Sequence, residues 1–256
     1  MAGVIMVSEP FWAAPFTGLR PCQFGKLITA LRREGADPVR KGRLWSLALE
    51  GRVLLVAAYG RTSLALRQLA PLFGISRSAA DRIVGRLGPS LALRPRKRFR
   101  KDSVLTVGGT LVPTRGHTTA EQPENYRYST NHQVVTDAGP RLPAAVGRPL
   151  PGNRHGCKAR ELSGAKDAAG KTTVNADSGY RGTGPVIPHH RKRDRAGLPA
   201  WKEEHNASHR KARTRIEHAS ARMKSWKTLR GCRLKDDGIH HTMLSIARLH
   251  NHTPAG

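Results

Sequence analysis

Two acidic residues stand out because their surroundings are so basic. Asp177 closes the run Lys171-Thr172-Thr173-Val174-Asn175-Ala176, and Glu217 lies in the segment from His209 to Trp226, among Arg213, Arg215, Arg222 and Lys224. Carboxylates are the natural oxygen ligands of Mg2+. Phosphoryl transfer by two divalent ions requires several carboxylates to converge from distant parts of a chain, because the metals clamp the attacking and leaving oxygens about 4 Å apart. Asp177 and Glu217 are therefore candidate catalytic and metal-binding residues, with Arg213, Arg222 and Lys224 placed to hold a phosphate backbone beside them. The plainer alternative for Glu217 is an exposed pair with Arg213 or Arg210 at helical spacing.

The elements that must position these groups divide at about residue 100. Before it, apolar residues recur at helical spacing. Phe24, Leu27, Ile28 and Leu31 form one stripe behind Pro21, in a helix that ends near Gly35, and a nearly continuous apolar run from Leu44 to Tyr59 suits a helix buried among others. The segment Leu64–Val84 has helix-turn-helix grammar. Leu66, Leu69 and Ala70 face inward, Gly74 permits the tight turn, Ile75 fills the angle, and Ser76 caps a second helix that buries Ala80, Ile83, Val84 and Leu87. Arg77, Ser78 and Arg82 are left outside near the start of that helix, where base edges and phosphates are met in a major groove. Arg96, Lys97 and Arg98 belong to a basic linker, Arg94–Lys101, broken from the helix by Pro95 and expected to lie on phosphate.

After residue 100 the period shortens to that of strands. Val104–Val107, His132–Thr136 and Arg141–Val146 read as three strands, with Asp137–Pro140 turning between the last two. Pro143 removes a ladder donor, so the third strand is expected at an edge or damaged. Lys158–Ala169 reads as a helix and Lys171–Ala176 as a fourth strand ending at Asp177. Strand, strand, strand, helix, strand opens an RNase-H-like fold. In the final helix segments, Ala212, Ile216, Ala219, Met223 and Trp226 give an inward stripe with Glu217 at its border, and Ile239–Leu249 forms a closing helix.

Charge narrows the partner. The 256 residues carry 45 Lys and Arg against 18 Asp and Glu, a formal net charge of +27, and so strong a bias calls for a polyphosphate whose binding weakens as salt rises. Aromatic residues make up only 5% of the chain, too few for the stacking surfaces that single-stranded RNA requires, so duplex DNA is favoured. Cys22, Cys157 and Cys232 are widely separated and form no C-x-x-C pair, which points to a reducing compartment, the cytoplasm. The apolar start, Met1–Val7, is too short and lacks the basic flank of a signal peptide. No apolar run approaches the roughly 20 residues of a membrane span. His205 and His209 have chelating spacing, yet nothing nearby completes four zinc ligands; His189–Arg195 reads as a basic loop.

The runs Leu66–Val84, Thr110–Thr114, Asn125–Ser129, Asp177–Gly182 and Arg215–Ala219 together resemble the bacterial insertion-sequence transposases of the DDE superfamily. The resemblance implies an α/β chain in which residues 1–93 form a helical DNA-binding domain with its helix-turn-helix at 64–87. Residues 94–102 are then a basic linker and residues 103–256 an RNase-H-like catalytic domain. It further implies cleavage of the ends of an element and strand transfer into a target, with Mg2+ or Mn2+ and a homodimer on double-stranded DNA, in the bacterial cytoplasm at the nucleoid. In the family the first strand ends in Asp-Gly-Thr, and that Asp position falls on Gly108; Asp177 and Glu217 match the second and third acids. The nearest acids, Asp102 and Asp137, are too far back along the strand or in a turn. Ser178, Asn175, Gly156, Arg160 and Pro143 depart from the family pattern as well. The expectation is a transposase that binds DNA with catalysis impaired or absent. The alternative is a non-enzymatic helix-turn-helix regulator derived from one.

Overall fold

A computed structural model describes residues 5, 9–37, 44–114, 128–190, 197–234 and 237–253. The chain divides into two compact units, Met1–Leu93 with Met223–Gly256, and Arg94–Arg222.

The first unit is helical. Helices α1 (Ala13–Thr17), α2 (Pro21–Arg33), α3 (Leu49–Thr62), α4 (Leu66–Leu72) and α5 (Arg77–Leu91) precede the sheet. The closing helix α9 (Gly238–His252) packs back among them. Large aliphatic side chains fill the core, with Leu27, Leu31, Leu55, Leu69, Ile83 and Met243 almost completely buried. Residues Met223–Gly256 group with the helices of this unit. The reason lies in α9. Its apolar face carries Ile239, Met243, Ile246 and Leu249, all buried. The Ser245 hydroxyl donates to the Gly88 carbonyl at 3.3 Å. The Arg248 guanidinium grips Glu34 at 2.7 and 2.9 Å and also donates to the Ser90 carbonyl at 3.1 Å.

The second unit is built on a mixed sheet. Strands β1 (Val104–Pro113), β2 (Ser129–Asp137) and β3 (Leu142–Val146) form an antiparallel meander; the short β4 (Leu150–Pro151) adds to β2; and β5 (Thr173–Asn175) returns parallel to β1. The order is β3-β2-β1-β5; the four expected strands appear in their expected sequence, with β1 and β2 longer than the sequence suggests. Where one helix was expected before β5 there are two, α6 (Gly156–Leu162) and α7 (Ala165–Ala169), parted at Gly164, whose φ of +78° a helix interior does not permit. Helices α6 and α7 cover one face of the sheet, where Leu105, Val107, Val135, Ala145, Ala165, Ala169, Val174, Ala176 and Tyr180 form the core. Pro143 is accommodated at the edge strand, opposite Thr136, where a register shift lets the ladder skip a residue. The long helix α8 (Ala200–Lys224) carries Glu217 and ends as the chain passes, at Met223, to the helical unit.

Residues 125–127 and 191–195, parts of two segments singled out in the sequence, lie outside the described residues. Among those described, no helix is long and apolar enough to cross a membrane.

Candidate active site and DNA-reading helix

The positions of the two carboxylates follow from local structure. Strand β5 delivers Asp177 to the top of the sheet, where its side chain accepts from the Gly179 N–H at 2.9 Å and caps the short turn Ser178–Tyr180. That turn is clamped from three sides. The Tyr180 hydroxyl donates to Gln133 Oε1 at 2.6 Å, the Cys157 thiol to the Gly179 carbonyl at 3.0 Å, and the Arg160 guanidinium to the Thr183 carbonyl at 2.9 Å. Burial, and then the neighbouring Asp177 charge, push the Tyr180 phenol up to about 12, so it is a neutral hydrogen-bond donor. Burial also pulls the Arg160 guanidinium down from its ordinary value.

Helix α8 supplies the second carboxylate through a single row of residues four apart: His205, His209, Arg213 and Glu217. His209 is buried, and its ring nitrogen Nε2 lies 3.3 Å from the Val186 carbonyl. Val186 is itself bridged to Asn175 beside β5. One turn further along, Arg213 Nη2 lies 3.8 Å from Asp177 Oδ2 and 3.4 Å from Glu217 Oε1. The two expected acids are thus brought to one guanidinium nitrogen and lie no further from each other than the sum of those distances. All three side chains remain open to solvent, at 42% for Asp177, 67% for Glu217 and 32% for Arg213, which keeps the ion pairs weak and the site reachable.

Gly108 belongs to the same corner. The β1–β5 register pairs Thr106 with Asn175, the last residue of β5; Gly108 follows Thr106 by two residues in β1, and Asp177 follows Asn175 by two residues past the end of that ladder. A Cβ added at Gly108 would meet nothing within 4 Å. Its neighbour Gly109 faces the opposite way, and a Cβ there would lie 2.9 Å from Gln133 Nε2 and 3.2 Å from Asn131 Oδ1. Neither nearby acid fills the position. Asp137 ends β2 instead of standing in the turn, and its buried carboxylate holds Arg96 at 2.7 Å. Asp102 pairs with Arg100 at the surface.

Divalent metal chemistry of the kind the resemblance implies requires several carboxylates in one place. The residues present do not fit that requirement. Among the described residues no three His, Cys, Asp or Glu side chains converge as a metal centre, and the two acids that do meet share a permanent cation. His189 lies beside His205 and His205 beside His209 on α8, with ring centroids 4.8 and 6.4 Å apart and the rings tilted, yet they form no such centre either.

The DNA-reading expectation places its residues more simply. Ser76 Oγ accepts from the Ala79 N–H at 3.2 Å, capping α5, and Gly74 turns with φ +65° between α4 and α5. Ala80, Ile83 and Leu87 are buried, while Arg77, Ser78 and Arg82 are exposed on the first turns of α5. Lys97, Arg98, Arg222 and Lys224 are likewise open to solvent. Two expected phosphate contacts are found elsewhere. Arg96 is tied to Asp137 and, through its N–H, to the Ala144 carbonyl at 3.0 Å. Arg213 sits between the two acids. The Arg213–Glu217 pair was visible in the sequence as i, i+4 spacing; the Asp177 contact was not. The same spacing extended back to His209 marks the row that anchors α8, a signal the apolar stripe alone concealed.

A helix-turn-helix precedes a mixed sheet in which Asp177, just past β5, and Glu217, on a late helix, meet at one arginine. Residues 45–97 match the family "Helix-turn-helix of DDE superfamily endonuclease", and residues 109–251 match "DDE superfamily endonuclease". The chain belongs to the DDE superfamily of insertion-sequence transposases. It is 70% identical over 251 residues, 98% of each chain, to the protein of Streptomyces albus G named "Putative transposase for insertion sequence element IS112". No solved structure matches it.

Proposed function

We propose that this chain is an insertion-sequence transposase that binds the double-stranded ends of its element through α5 and is impaired in cleavage and strand transfer because position 108 carries no carboxylate. One observation carries the reading: Asp177 and Glu217 meet at Arg213 while Gly108, on the strand beside β5, offers open space and no ligand. Loss of one member of a group that acts as a unit removes most of its activity. The net charge of +27 and the exposed Arg77, Ser78 and Arg82 support duplex binding, with Lys97, Arg98, Arg222 and Lys224 adding phosphate contacts. Pairing two ends calls for a homodimer on DNA. The widely spaced cysteines favour a cytoplasmic, nucleoid-associated location.

The decisive experiment is Mn2+-dependent nicking of a labelled duplex bearing the element's ends, by this chain and by its Gly108→Asp variant. We expect cleavage in the variant on the order of 10³-fold or more above the parent. Equal cleavage by both chains overturns the assignment of position 108. A second reading, a DNA-binding regulator without catalysis, is favoured by the intact Ser76 cap beside an incomplete acid set. Site-specific binding with no metal dependence, and no cleavage even by Gly108→Asp, would decide for it.

A further inference from the structure

Arg213 is the charge of the sheet unit that touches both acids of the site. Its place is set by α8, which is anchored one turn earlier by His209 on Val186 and another turn earlier by Asn206, whose side chain accepts from the His189 N–H at 2.8 Å and donates to the His189 carbonyl at 3.0 Å. From that fixed row a single guanidinium nitrogen reaches both carboxylates. A guanidinium stays charged at every accessible pH, so no proton loss can vacate the position. It leaves only by being displaced. Distances of 3.4 and 3.8 Å with a third of the side chain exposed describe a pair loose enough to be displaced at modest cost.

We propose that Arg213 is the resident counter-ion of this site, occupying the ground between Asp177 and Glu217 and competing with any divalent cation for the two carboxylates. The proposal rests on the reading of Asp177 and Glu217 as the site's acids, but not on the cause of impaired cleavage. A cation arriving between these carboxylates meets a fixed positive charge within a few ångströms, and the net charge of +27 on the chain adds to that repulsion. Glycine at 108 sharpens the contest, because a cation finds two carboxylates there where a third would help it prevail.

The test needs no DNA. Free Mn2+ is titrated by electron paramagnetic resonance against the full-length parent, Arg213→Gln, Gly108→Asp and the double variant, with Glu217→Gln added to each to identify the site. Arg213→Gln is expected to raise Mn2+ affinity about fivefold both in the parent and on the Gly108→Asp background, and Glu217→Gln to abolish the gain. Arg213→Lys, which keeps the charge on a single compact donor, is expected to fall between parent and Gln; it is the second probe should the Gln variant unfold by circular dichroism. Unchanged affinity on removing Arg213 in both backgrounds, or a gain that survives Glu217→Gln, overturns the proposal. If Arg213→Gln raises affinity while Gly108→Asp restores no cleavage, Arg213 competes as proposed and the impairment has a cause other than position 108.

Discussion

The helical unit and the sheet unit are stabilised in opposite ways. The helices bury long aliphatic side chains, and their few buried charges, such as Arg248 on Glu34, are paired at good geometry. The sheet unit buries small and polar groups: all nine residues of β2 are buried, among them Asn131, His132, Gln133 and Asp137. An apolar core loses stability in proportion to the volume removed, while a polar network fails when one partner is lost or displaced. The difference explains where residues unfavourable to a strand or a buried site can be accommodated. Pro143 sits at an edge with a register shift, and buried Arg160 finds the Thr183 carbonyl. Gly108 faces open space, where a side chain would meet no neighbour within 4 Å, so the packing of the sheet does not depend on what stands there.

Five substitutions sharpen or break that contrast. Leu55→Ala, in the centre of α3 with no exposure, should cost about 2–5 kcal/mol, measured by urea unfolding; a loss below that range would mean the helical core repacks freely. Gly109→Asp should destabilise by about 1–3 kcal/mol, since its Cβ enters the Gln133–Asn131 pair, while Gly108→Asp should leave the unfolding midpoint nearly unchanged. Equal destabilisation by the two would contradict the facing of β1. Ser76→Ala removes the α5 cap and should cost about 1 kcal/mol, with weaker duplex binding in a gel-shift titration. The smallest effect concerns pH. Burial, with Arg213's charge adding to it, holds the His209 imidazole below its ordinary value of 6.5. The unfolded chain therefore takes up a proton that the folded one refuses, and stability is full above about pH 6.5 and declines as pH falls toward the folded value. Thermal midpoints between about pH 7.5 and 5 should drop less steeply in His209→Gln than in the parent; parallel slopes would remove His209 from the account.

Neighbours along the chain were enough to place α2, α4, α5 and α9, the Gly74 turn, the Ser76 cap and the i, i+4 pairing of Arg213 with Glu217. Each is a short-range consequence of backbone geometry or of side-chain periods of 3.6 and 2.0. What tertiary structure alone decided involves partners brought together by strand register or helix packing. Asp177 joins Arg213 from 36 residues away; Asp137 is drawn out of its turn to hold Arg96; and α9 leaves the sheet for the aliphatic core that its own apolar face matches. Adjacent glycines show the limit most plainly. Gly108 and Gly109 are the same residue in sequence, and only the facing of β1 against β2 and Tyr180 makes one an open position and the other a crowded one.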